Sequence, residues 1–96
     1  MTKAYLLGIL HDATERRLTY RIATKSFKFA ELIAQGIKEI GGEAWIYKEG
    51  RTRKLWIIEF SKKFLKGCVI KTQQDKIEYI RGYFDAEGGI AKSSTV

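Results

Sequence analysis

One acid in this chain sits where it should cost stability. In YIRGYFDAEGGIA, residues 79–91, a helical pattern runs into Gly88-Gly89 with Glu87 on its last turn. A helix C-terminus carries partial negative charge, so lysine or arginine is favoured there and glutamate is not. Glu87 is therefore the first candidate for chemistry. Other chemistries have too few groups. A single cysteine, Cys68, allows no internal disulfide, and with a single histidine, His11, a Cys/His zinc site is short of ligands. His11, alone near a helix end, reads as structural.

The remaining candidates are basic. Net charge is +7, which points to a polyanionic partner, nucleic acid before an anionic membrane. Arg16, Arg17, Arg51, Arg53 and Lys54 fall in turns, and Arg21, Lys25 and Lys48 in or beside strands. Lys62, Lys63 and Lys66 add a second cluster. AYLLGIL is too short to span a membrane and has no cleavage-site pattern after it, so no membrane partner is expected. Cysteine usage fits a reducing interior, so the chain reads as intracellular.

These residues need a scaffold. The 96 residues, 45% hydrophobic and 30% charged, allow one small globular domain. AYLLGILHDA (4–13) reads as a short apolar helix, followed by a charged turn, TERR, with a short partner strand. LTYRIAT (18–24) alternates as a strand does, with Leu18, Tyr20 and Ile22 toward the core and Thr19, Arg21 and Lys25 opposite. SFKFAELIAQGIKEIGG (26–42) has Ser26 as N-cap, apolar Leu32, Ile33, Ile37 and Ile40 at helical spacing, and a Gly pair to close it. EAWIYKEGRTRKLWIIEF (43–60) reads as a hairpin turning at Gly50. Trp45 and Tyr47 share one of its faces and Ile46 and Lys48 the other, while both faces of its second strand are apolar. Residues 61–69 read as a short helix, 72–89 as a long one, and 90–96 as the start of a strand. The expected class is α+β: a small antiparallel sheet with helices on one face and the other face open.

The chain also repeats. YLLGILHDAT (5–14) lies over YIRGYFDAEG (79–88) with Tyr5 on Tyr79 and Gly8 on Gly82, 74 residues apart (82 minus 8). Glycine inside a helix costs about 0.5–1 kcal/mol relative to alanine. Two helices with glycine in the same register imply a close approach there. Ala4 and Gly8 share one face, as do Gly82 and Ala86, so Gly8, Gly82 and Ala86 form the expected helix–helix interface.

IRGYFDAEG (80–88) closely resembles the LAGLIDADG signature, and YLLGILHDAT resembles a decayed first copy of it. The resemblance covers the whole chain, including a GRTR turn and an SKKFLK segment between the motifs. It implies a LAGLIDADG homing-endonuclease-like half domain, with motif helices near 4–13 and 75–88 packed on each other. Members are mainly homing endonucleases associated with introns or inteins; relatives are maturases or DNA-binding regulators that do not cut. The resemblance implies a saddle-shaped sheet that enters the major groove of double-stranded DNA. It also implies an acid at each motif helix end that binds a divalent cation, here Mg²⁺, at the phosphodiester. On that basis Glu87 is the catalytic, metal-binding acid, since carboxylate and helix-end carbonyls together offer oxygen to a hard cation. Arg16, Arg17, Arg21, Lys25, Lys48, Arg51, Arg53 and Lys54 are the expected DNA-binding residues.

Two departures weaken the implied activity. The position matching Glu87 in the first copy is Ala13, which binds no metal; Asp12 is turned about 100° from it, and Glu15 lies beyond. Only GGIAKSSTV follows Glu87, so one half plus a second motif helix is present, as a fragment, as a chain completed by a partner, or as a domain that pairs with itself. The expectation is a metal-dependent DNA endonuclease, incomplete or inactive as this chain, or else a non-cleaving nucleic-acid-binding module on the same fold. A weaker third reading is a protein-interaction domain built on the apolar hairpin.

Overall fold

The computed structural model describes residues 1–50 and 54–89, so Arg51, Arg53 and the strand expected at 90–96 lie outside the described residues. Among the described residues three helices, α1 (Lys3–Ile9), α2 (Phe27–Glu39) and α3 (Gln73–Gly89), join four strands, β1 (Thr14–Glu15), β2 (Thr19–Thr24), β3 (Trp45–Glu49) and β4 (Leu55–Ser61). The sheet is antiparallel in the order β1-β2-β4-β3. The α+β class is as expected.

Local chemistry sets the helix ends. The Thr2 and Ser26 hydroxyls accept from the amides of Tyr5 and Phe29, capping α1 and α2. Thr72 and Asp75 form a reciprocal capping box at the start of α3. At the end of α2, Gly41 takes φ +98°, and the amides of Gly41 and Gly42 return to the carbonyls of Lys38 and Ile37. Only glycine adopts that left-handed turn without strain.

The core lies between one sheet face and the helices. Ile22, Ile58 and Phe60 from the sheet meet Leu6 and Ile9 of α1 and Ile33 and Ile37 of α2, with Ala86 of α3 at the far edge. Thr24 continues the buried side of β2 and accepts from the Ser26 amide.

Several expectations shift. Leu18, expected in the core, is 70% exposed, because β2 begins at Thr19 and Leu18 falls in the turn before it. Lys25, expected on the open sheet face, sits in a bend after β2 has ended. Leu32, on the outer side of α2, is exposed. The helix expected over 4–13 ends at Ile9 and tightens into a 3₁₀ turn, Leu10–Asp12, leaving Ala13 extended. The helix expected over 61–69 is a 3₁₀ turn, Lys62–Leu65.

Candidate nucleic-acid interface

α1 and α3 cross at their glycines. A methyl group added at Gly8 would collide with the Tyr79 carbonyl oxygen and lie 2.9 Å from the Tyr83 amide nitrogen. One added at Gly82 would collide with the Tyr5 carbonyl oxygen and lie 3.1 Å from the Ile9 amide nitrogen. Under the repeat, Tyr5 matches Tyr79 and Ile9 matches Tyr83. The two glycines thus see equivalent atoms of the opposite helix, which defines a local two-fold at the crossing. Ala4 and Ala86 are buried beside it.

The helices run the same way. Thr2 donates to Glu78 Oε1 at 3.5 Å before the glycines, and His11 packs edge-on to Tyr83 at 4.8 Å between ring centroids after them. His11 and Asp85, also matched by the repeat, each touch the other helix: His11 the Tyr79 and Tyr83 rings, Asp85 the Tyr5 hydroxyl that donates to it. Burial and the Asp85 carboxylate push the Tyr5 phenol well up.

Both motif ends therefore emerge on one side of the domain. Glu87 is exposed there. Ala13, at the matching position, packs against the core and offers no donor. Asp12 continues the Ala4–Gly8 row and has Oδ2 buried without a hydrogen-bond partner. Glu15 is engaged elsewhere, 2.5 Å from Lys62 Nζ. No group of three or more His, Cys, Asp or Glu comes together among the described residues. The two motif positions thus hold one acid instead of two. That donor set does not fit the paired-acid cation site the resemblance implies.

The sheet face away from the helices carries the other candidates. Thr19, Arg21, Tyr47, Glu49 and Glu59 all lie on it, fixed by the registers Arg21↔Glu59↔Trp45 and Ala23↔Ile57↔Tyr47. They form one network. Arg21 Nη2 reaches Glu49 Oε2 at 2.5 Å, and its Nε donates to the Tyr47 hydroxyl at 3.1 Å. Tyr47 donates to Glu59 Oε1 at 2.6 Å, and Thr19 donates to Glu59 Oε2 at 2.5 Å. These two hydroxyls hold the Glu59 carboxyl below its ordinary range, helped by the charges of Arg16 and Arg21. Burial and the Glu59 carboxylate raise the Tyr47 phenol. Beneath the network Ile57 is buried; beside it Trp45 is exposed.

The expected DNA-binding residues separate. Arg21 is on the open face, but its side chain is only 14% exposed and already paired. Arg16 and Arg17 stand in the β1–β2 turn, Lys25 at the bend after β2 and Lys54 just before β4, all exposed. Lys48 is exposed but on the helix-side face, opposite Trp56, so it does not join Arg21. Glu49, Glu59 and Tyr47 were not among the expected site residues. Their signal is the register, since Glu59 lies 38 positions from Arg21 (59 minus 21) yet directly beside it.

No helix among the described residues is long and apolar enough to cross a membrane. No protein-family model, no curated protein and no solved structure matches the chain.

Proposed function

We propose that this chain binds double-stranded DNA with the open face of its sheet, as a half domain of the LAGLIDADG type that does not by itself cut both strands. The observation that carries this reading is the glycine crossing. Two parallel helices meet backbone to backbone through equivalent atoms of a repeated motif, which is the central contact the resemblance implies. The sheet lies to one side of that crossing with a face free of helices, and the net charge is +7. Exposed Arg16, Arg17, Lys25 and Lys54 at the strand ends are placed to meet phosphates, while the strand centres meet base edges. Ala13 argues against double-strand cleavage, because it leaves the position matching Glu87 in the first copy without an acid.

Binding dominated by phosphate contacts falls steeply with salt, with a logarithmic slope of about −0.9 per phosphate neutralised. Titration of random-sequence duplex at several salt concentrations is expected to show that slope. A flat response, or no binding at low salt, overturns the reading.

One observation favours the endonuclease instead: the unpartnered Asp12 Oδ2 at the same end of the helix pair as Glu87. Under that reading Mg²⁺ raises the melting temperature of the wild type and not of Asp12→Asn, and plasmid is linearised in a Glu87-dependent way. Under the proposed reading no linear plasmid forms.

A further inference from the structure

The open sheet face is basic at its ends, with Arg16, Arg17, Lys25 and Lys54, and carries a carboxylate, Glu59, inside β4. Among the described residues the one guanidinium within its strands, Arg21, faces Glu59 in the register and reaches Glu49, the last residue of β3. A surface meant only to grip phosphate would not be built so, because a carboxylate repels it. A duplex seen from its major groove is itself divided in this way, with phosphates at the two edges and neutral base edges between them. A carboxylate in the middle meets bases, and of the four bases cytosine presents only an amino donor there.

Glu59 has the attributes of a fixed acceptor. Its two oxygens take the Thr19 and Tyr47 hydroxyls, which hold the side chain in one orientation. An ionised carboxylate offers about four lone-pair sites, so roughly two remain free. Its register neighbour Arg21 is turned aside by Glu49 and Tyr47 and is not available to phosphate without breaking that pair.

We propose that Glu59 is a base-reading residue that selects an exposed cytosine amino group, and that Glu49 keeps Arg21 from gripping phosphates indiscriminately. The pair of acids lowers affinity for the wrong sequence, and discrimination is a difference of affinities. This inference rests on the DNA-binding reading above.

Selection from a random duplex pool, followed by sequencing, tests it with the wild type, Glu59→Gln and Glu49→Gln. The wild-type pool is expected to fix cytosine at one position at least. Glu59→Gln, isosteric and still able to hydrogen-bond Thr19, should lose that preference by roughly tenfold while other selected positions stay. Glu49→Gln should keep the cytosine and bind random duplex more tightly, with a salt slope steeper by up to about 0.9 as Arg21 reaches a phosphate. If the wild type binds duplex but selects no cytosine, or Glu59→Gln selects the same sequences, the inference is overturned and DNA binding stands. If Glu59→Gln does not fold, an unchanged salt slope and affinity in Glu49→Gln overturn it alone. Absence of any wild-type binding at low salt removes the DNA-binding reading itself.

Discussion

Glu59 shows how a single side chain acquires its properties from register. In sequence it is one acid in an apolar strand; in the fold it receives two hydroxyls and faces two arginines. A carboxyl held below its ordinary value of 4.5 stabilises the fold fully above that value and loses the contribution as pH falls through the lower folded-state value. Denaturant unfolding from pH 7 downward is expected to show stability falling below about 4.5 in the wild type and falling less in Glu59→Gln. At pH 7 the variant should be about 1 kcal/mol less stable, because the half-buried carboxylate's charge-assisted bonds become neutral ones. Identical pH profiles for the two proteins would mean that the Thr19–Glu59–Tyr47 bonds contribute nothing. Alternation along each strand made Arg21's face legible in the sequence. What lay on that face beside it was not, because partners come from other strands and their register depends on the whole sheet. Lys48 shows the same limit: its charge was legible, its side of the sheet relative to Arg21 was not.

At the scale of elements, the glycines carry the most information. Gly8 and Gly82 stand out in sequence because a helical glycine without a reason is a cost, and the reason is the other helix's backbone. Gly88, six residues beyond Gly82, has nothing within 4 Å of an added methyl group. The two positions therefore predict opposite signs. Gly82→Ala gains helix propensity but forces backbone from backbone, and overpacking of this kind costs about 1–3 kcal/mol. Each kcal/mol is worth roughly 4–8 °C in a domain of this size, so a thermal melt should fall by several degrees. Gly88→Ala gains propensity alone and should melt slightly higher. Equal melting temperatures for the two variants would place Gly82 away from the crossing. Element types were readable from periodicity, but ends were less so. Leu18 completes an apolar–polar alternation yet lies in a turn, because the tight β1–β2 connection, closed by the Arg16 amide on the Thr19 carbonyl, takes it out of the sheet. Ala13 reads as helical yet is extended, because the chain must turn into β1 at Thr14.

At the scale of the molecule, the local two-fold leaves one helix half used. Leu6 and Leu10 of the first copy match Ile80 and Phe84 of the second. Leu6 is fully buried and Leu10 packs on the core, whereas Ile80 is 52% exposed and Phe84 65% exposed. Ile77, one turn before Ile80, is 44% exposed, so α3 shows an open apolar row with i, i+3, i+7 spacing. The row borders an open cleft of about 590 Å³ whose walls include Tyr5, Leu32, Ile33, Arg81 and Phe84. A stripe of this kind on an otherwise charged chain invites cover, and a second copy of the chain offers the same stripe for a symmetric pairing. Self-association is therefore expected to rise with concentration in sedimentation velocity. Ile80→Lys combined with Phe84→Lys should hold the chain monomeric. Both side chains are largely exposed in the single copy, so the monomer's own stability should change by no more than about 0.5 kcal/mol per site. Two lysines also add positive charge, so tighter DNA binding by the variant would be uninformative about pairing; the oligomeric state without DNA decides. A wild type that stays monomeric at every concentration, or a double variant that associates equally well, would show that α3 does not pair copies of this chain.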